Sequence, residues 1–415
     1  MLKKNSSVHP ATLGLRSAFL DRVLVGIVLW VCMATGAQEC SAQSTGEVAK
    51  STKSNSAHSS ETTVFIGTYT GGKERPLASK GIYRSRFNAA DGSLSAPELV
   101  AEQTNPSFLC LNPKLPVLYA VSEVEDGLVV AYAVDRDDNL TELGRASTTG
   151  SSPCNITTDA EGKLLLVANY SSGNIVAIRL DERGNLTEQR FEVQHSGSSV
   201  HPRQKGPHAH CIQVDPSGQF ACAVDLGLDQ VLVYKLPASD HQPSDTPQLL
   251  STGKPLKVQS GFGPRHMTFH PDGGYAFVIH ELTCQLSSCR WDATNGRLEE
   301  LQTVSTLPTD WQSGYSTAEV LVHPNGQYVY GSNRGHNSIA CFRFNDGELT
   351  PIQHVATEGK TPRNFRLSPD GEYLLAENQD SDSIIVFKLD PDSGILTLTE
   401  NRLGVGSPVC LRFRK

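Results

Sequence analysis

The sequence predicts an all-β fold: a seven-bladed β-propeller of four-stranded blades, its ring closed by pairing of N-terminal strands with the C-terminal strand. Three observations predict it. From about residue 61 onward the chain is built of short alternating apolar runs separated by Gly and Asp turns, with no long stretch of helical periodicity. One segment, an apolar strand followed by a Pro-Asp-Gly-like turn and a second apolar strand, recurs at the spacing of a propeller blade. The last copy supplies a first strand alone, and the body opens with the strands that this copy lacks.

In chain order, the basic residues Lys3, Lys4, Arg16 and Arg22 precede an apolar run over 23–36, and small residues follow at Ala37, Ser41 and Ala42. This pattern predicts a signal peptide over 1–42, hence export to the periplasm or the extracellular space without stable membrane insertion after cleavage; an uncleaved N-terminal anchor is the alternative. Residues 43–60 are Ser, Thr, Lys and Asn with little apolar content, so a disordered tether is expected there. Residues 61–415 are expected to form a single propeller domain.

The repeated segment occurs at 107–113 (SFLCLNP), 154–160 (CNITTDA), 210–216 (HCIQVDP), 265–271 (RHMTFHP), 318–324 (AEVLVHP), 363–369 (RNFRLSP) and 409–415 (VCLRFRK). Third strands recur from Gly127, Gly173, Asp229, Asn337 and Asp382, and fourth strands follow turns at Asp138, Gly184, Gly347 and Gly394. The N-terminal body starts with runs from Thr63, Gly81 and Ser93 that complete the final copy. One blade made from both ends leaves no unpaired terminal edge.

Composition limits the function. A formal net charge of −8 leaves no basic surplus to displace counterions from phosphates, so no nucleic-acid partner is expected. The cysteines show no C-x-x-C pair and no zinc spacing, and neither metal nor cofactor is expected. A disulfide between Cys284 and Cys289 is one possibility in an oxidising compartment; buried structural thiols are the other.

Repeat geometry also selects candidate site residues. Within a blade the first two strands are antiparallel, so the start of the first lies beside the end of the second, and all such positions meet at one mouth of the ring. The starts carry His210, Arg265 and Arg363; the ends carry Glu123, Glu281 and Arg334, preceded by Asn333 and Asn378. Several charges on one mouth must pair or serve a ligand. The long connections 195–207, with His201 and Arg203, and 307–316, with Trp311 and Tyr315, border the same sector.

The segments Ile66-Gly-Thr-Tyr-Thr70, Gly206-Pro-His-Ala-His210, Gly263-Pro-Arg-His266, His280-Glu-Leu282, Ser332-Asn-Arg-Gly-His336, Thr361-Pro-Arg-Asn364 and Glu377-Asn-Gln-Asp380 resemble the lactonase family of seven-bladed propellers. Propeller-type 6-phosphogluconolactonases belong to it and carboxymuconate lactonising enzymes are related. The resemblance implies metal-independent hydrolysis of a small anionic sugar-type lactone, with His210, Arg265, Glu281 and Arg334 as catalytic residues. Arg363, Asn333, Asn378 and His208 are expected to bind substrate.

On this reading His210, with a pKa near neutrality, is general base; Glu281 orients its imidazole or shares the proton; Arg265 and Arg334 hold the anion and the developing oxyanion. The expected export departs from the cytosolic phosphogluconolactonases and puts the phosphorylated substrate in doubt. Cycloisomerisation of an unsaturated dicarboxylate and non-catalytic binding are the alternatives.

Overall fold

The structure, a computed structural model, describes residues 61–71, 77–237, 246–311 and 314–414. The expected signal peptide and tether lie outside the described residues.

Seven antiparallel sheets follow one another along the chain. The inner strands of blades 1 to 6 are Leu109–Leu111, Pro153–Thr158, Ala209–Val214, Pro264–Phe269, Ser316–Val322 and Pro362–Leu367. In blade 7 the C-terminal strand Pro408–Phe413 is innermost, and Glu61–Thr68, Gly81–Asn88 and Glu98–Glu102 follow it outward. The ring therefore closes between the chain ends, as the incomplete last repeat predicts. Gly67 marks the closure: a Cβ there would stand 2.5 Å from the Pro106 carbonyl oxygen and 3.3 Å from Cys410 Cβ, so the two ends approach this closely only over glycine.

The pattern within a blade follows from its neighbours. Second strands such as Val117–Ser122 and Leu164–Asn169 are buried along their whole length, because a flanking blade covers each face. Outer strands such as Leu140–Ser147 face water and alternate between half-buried and exposed residues. Blade 3 departs from the expected four strands. Its outer strand is two fragments, Leu250–Ser251 and Leu256–Lys257, which pair with opposite ends of Gln230–Lys235. Gly253, at φ +69°, and Pro255 break it between them.

The turns between inner and second strands also link blades. His270 Nε2 donates to the Gly326 carbonyl at 2.9 Å and His323 Nε2 to Gly371 at 3.0 Å, each reaching the next blade's turn. At the opposite face, Asn169, Asn333 and Asn378 donate to the carbonyls of Thr148, Thr306 and Thr357, where the chain passes from one blade to the next. These links fix the inner strands that line the channel.

Candidate active site

Each inner strand starts at one mouth of the central channel, here the upper mouth, and ends at the other. A regular strand would turn consecutive side chains to opposite faces. These strands do not stay regular at the upper mouth. Pairing with the second strand skips Cys154, His210, Arg265, Arg363 and Val409, and in blade 5 both Ala318 and Glu319. Such a bulge lets two neighbours share one face. Arg265 and His266 accordingly line one cavity of about 10 Å³, and so do Arg363 and Asn364.

The upper mouth is organised around Glu281. Its Oε1 lies 2.6 Å from Arg203 Nη1, and its Oε2 lies 2.9 Å from Arg265 Nε and 3.0 Å from Arg334 Nη2. Burial alone would raise this carboxyl; the guanidiniums of Arg334, Arg265 and Arg203 outweigh it and bring the pKa down to about 2. Each arginine has a second anchor. Arg265 Nη1 donates to the Ala318 carbonyl and Arg334 Nη2 to the Thr317 carbonyl, both at 2.7 Å, and Arg203 Nη2 donates to the Tyr170 hydroxyl at 3.0 Å. Gly263 admits the Glu281 loop: it sits at φ +63°, and a Cβ there would stand 2.5 Å from Leu282 Cγ.

Arg203 arrives on the 195–207 connection, which is fastened from below. Buried His195 pairs with Asp225 at 2.7 Å and meets the Tyr234 hydroxyl at 3.1 Å. Gln204 Nε2 donates to the Leu226 carbonyl at 2.8 Å. On the other long connection, Trp311 and Tyr315 pack around His336, two residues beyond Arg334.

Three histidines stand beside the arginines. His208 stacks on Tyr170 with centroids 4.6 Å apart, and its Nδ1 is 2.9 Å from the Tyr170 carbonyl oxygen. That oxygen only accepts, so Nδ1 carries a proton. His210 is buried, with Tyr170 and His266 rings at 5.4 and 5.2 Å. Burial, then Arg265, His266 and Arg363, push its pKa well below the ordinary imidazole value.

This departs from the expected titration near neutrality, because His210 has cations rather than a carboxylate around it. Glu281, expected to orient His210, is held by arginines instead. Cys154 Sγ lies 3.7 Å from His210 Nδ1, but burial raises that thiol well above its usual range, so no thiolate nucleophile forms at neutral pH.

His266 has the carboxylate that His210 lacks. Its Nδ1 is 3.0 Å from Glu319 Oε1, and Asn364 Nδ2 donates to Glu319 Oε2 at 2.6 Å. Its Nε2 is buried without a hydrogen-bond partner among the described residues. Burial lowers the His266 pKa against the opposing pull of Glu319.

Across the same cavity, Arg363 Nη2 donates to the Tyr69 hydroxyl at 2.9 Å, and Tyr69 and Ser107 donate to Glu123 at 2.7 and 2.5 Å. Four guanidiniums thus face three carboxylates, Glu281, Glu123 and Glu319, and the mouth keeps a positive surplus.

The structure brings His210, Arg265, Glu281, Arg334, Arg363 and His208 to one mouth. Asn333 and Asn378 stand at the same end of the ring but are not free to meet a ligand. Both are fully buried and committed to the blade links already described, Asn333 also bonding Thr306 Oγ1 and Ser338 Oγ. Cys284 and Cys289 are free thiols. The His266–Glu319 pair and Tyr69 escape sequence reasoning, although His266 and Tyr69 fall within two of the motifs quoted for the resemblance. No group of three His, Cys, Asp or Glu side chains among the described residues is arranged to hold a metal ion.

A family model described as Lactonase, 7-bladed beta-propeller matches residues 63–413. A 6-phosphogluconolactonase of Bacillus subtilis is 34% identical over 353 residues, 84% of this chain and 97% of the relative. A putative 6-phosphogluconolactonase of Bacteroides fragilis superposes with a TM-score of 0.79 at 34% identity, covering 87% of this chain and 99% of the other. The periplasmic gluconolactonase of Pseudomonas aeruginosa superposes with a TM-score of 0.78 at 32% identity, covering 86% and 99%.

Proposed function

The chain belongs to the lactonase family of seven-bladed β-propellers, and from that premise we propose that it hydrolyses an anionic sugar-type lactone of the 6-phosphogluconolactone kind at the upper mouth. The observation that carries this reading is the cluster of Arg203, Arg265 and Arg334 held on buried Glu281, with a positive surplus beside neutral histidines. The names of the relatives support the same class of substrate.

In this mechanism a water attacks the lactone carbonyl while an imidazole takes its proton. The ring C–O bond then breaks and its oxygen receives a proton, giving the open hydroxy acid. Arg265 and Arg334, already fixed by Glu281 and backbone carbonyls, stabilise the oxyanion of the tetrahedral intermediate without reorganising. Arg363 and Arg203 hold the substrate's own anionic group by forked contacts. Neutral His210 is the assigned base. Its depressed pKa keeps the lone pair free at neutral pH, and the imidazolium formed in the step passes its proton to the leaving oxygen. His208 borders the mouth as a binding group.

Export is part of this proposal. One neighbour is named periplasmic, and no helix among the described residues is long and apolar enough to cross a membrane. An exported enzyme would meet unphosphorylated lactone as well as its 6-phosphate. The test is turnover of δ-gluconolactone and of its 6-phosphate by the wild type and by His210→Ala. A fall in kcat on the order of 10²–10⁴-fold in the variant is expected, with a muconate inert in parallel. Wild-type rates in His210→Ala would remove the assignment.

A further inference from the structure

The lower mouth, where the inner strands end, carries a second cluster of cations that the lactonase reading leaves unused. A cavity of about 640 Å³ opens there, lined by Arg366 and Arg412 together with Thr157 and Gln213. A second, of about 390 Å³, shares both arginines and Gln213 and extends up to the His266–Glu319 pair. Arg366 and Arg412 come from corresponding positions of the adjacent inner strands of blades 6 and 7. Both are partly accessible from the cavity.

These arginines feel the buried carboxyls Glu319 and Glu377 at a distance but make no ion pair with either. Among the described residues, neither has a carboxylate oxygen within 4.0 Å, and Arg366 makes no side-chain hydrogen bond. Arg412 donates to its neighbour's carbonyl, that of Leu411, and lies over the Phe108 ring, 4.7 Å from the centroid, so its fork is held in place with most donors free. Burial and the nearby Arg412 pull the Arg366 pKa down to about 10.

The carboxyls in the region are otherwise occupied. Asp159 Oδ1 accepts from the amides of Lys163 and Leu164 in its own turn. Glu319 belongs to His266 and Asn364. Glu377 is fully buried, and burial raises its pKa against the opposing pull of Arg412 and Arg366; it makes no ion pair with either.

Two adjacent guanidiniums in a concave, hydroxyl- and amide-lined pocket repel each other until an anion joins them. One arginine fork satisfies the two oxygens of a carboxylate. Two forks from neighbouring blades, with Gln213 and Thr157 around them, suit an anion of three or four oxygens and double charge. The larger cavity falls in the size range of small-metabolite sites.

We propose that the lower mouth binds a phosphate group, free or carried by a small metabolite, gripped by Arg366 and Arg412 at a site separate from the lactonase mouth.

The experiment is calorimetric titration of inorganic phosphate into the full chain, into Arg366→Gln and Arg412→Gln, and into the double variant Arg203→Gln/Arg363→Gln, which takes the anion clamp of the upper mouth out of the signal. A saturable phosphate site is expected in the wild type and in that double variant. It should weaken at least tenfold in Arg366→Gln and in Arg412→Gln, and less in Arg366→Lys, which keeps the charge but not the fork. Melting temperatures show that the variants are folded. Turnover of δ-gluconolactone by Arg366→Gln should equal the wild type; the phosphate result stands whether or not any lactone is turned over. In the Arg203→Gln/Arg363→Gln background, tighter binding of 6-phosphogluconate than of phosphate assigns the site to a carried phosphate group, and equal binding to the free anion. No saturable binding to the wild type would overturn the proposal. So would loss of binding in Arg203→Gln/Arg363→Gln with retention in Arg366→Gln.

Discussion

At the upper mouth three arginines converge on one carboxylate, every contact to Glu281 at 3.0 Å or less; at the lower mouth Arg366 and Arg412 stand together with no carboxylate of the described residues within 4.0 Å. One strand, Pro362–Leu367, contributes an arginine to each end, Arg363 above and Arg366 below. The fold therefore does not decide how a cation is used; the counter-charge does. Above, buried Glu281 fixes the guanidiniums in advance, as an oxyanion-stabilising site requires. Below, the charge is held near the surface with its donors uncommitted, which suits capture of an anion.

The largest expected effect breaks the upper arrangement. Glu281→Gln leaves Arg265 buried against an amide, with Arg334 and Arg203 freed. Removing one partner of a buried ion pair costs about 3–5 kcal/mol, which in a domain of this size lowers the melting temperature by roughly 4–7 °C. The loss should exceed that from Arg203→Ala, since Arg203 is partly exposed and its share is screened by solvent. Thermal unfolding of both variants checks the ranking; a silent Glu281→Gln would mean that the carboxylate does not organise this mouth.

A second comparison lies within the upper half, between two of its buried histidines. His210 is surrounded by cations and sulfur, whereas His266 is oriented by Glu319 and has an unclaimed Nε2. If His210 is the base, His266→Gln should lower kcat by no more than about tenfold, and His210→Ala by the full factor expected of a general base. A reversed order in single-turnover rates would transfer the role to the His266–Glu319 pair.

Sequence periodicity placed seven repeats, the closure and the register that gathers His210, Arg265, Glu281 and Arg334. It could not find His266, because alternation assigns consecutive residues to opposite faces and only the bulge at Arg265 turns both inward. It also took Asn333 and Asn378 for binding groups: a polar residue at the end of a second strand reads the same whether it faces the channel or ties a carbonyl of the preceding link. The partner of Glu281 was illegible for a similar reason. Register brings a glutamate, a histidine and arginines to one rim, but which side chains touch is decided by reach, and the longer arginines reach it from three sides.

Acid should test the upper half next. His280, fully buried beside Glu281, has its pKa lowered to about 3 by burial, and His210 is pushed well below its ordinary value. In the unfolded chain both return to about 6.5. Between those values the unfolded state binds more protons, so the contribution of these groups is complete above about pH 6.5 and is lost as pH falls, by up to about 1.4 kcal/mol per pH unit for each. Glu281, at about 2 when folded, adds its loss only below about pH 4.3, its unfolded value. The melting temperature should thus begin to fall between pH 6.5 and 5, ahead of any carboxylate. A curve flat to pH 4.5 would show that the histidines are not held neutral by the fold.

The smallest effect belongs to the lower mouth. Arg366→Gln removes one of two like charges, which relieves repulsion, and shortens a stem that packs at the rim, which costs contact. With no ion pair to break, the two terms should cancel to within about 0.5 kcal/mol, as for an ordinary surface substitution, and the melting temperature without added anion should hardly move. Adding phosphate should then raise the melting temperature of the wild type more than that of Arg366→Gln, because a ligand stabilises only the fold that binds it. A fall in anion-free stability as large as that of Glu281→Gln would show that Arg366 is as deeply engaged as the upper arginines. Glu377 would then be its charged partner, and the two mouths would differ in exposure rather than in how they use their cations.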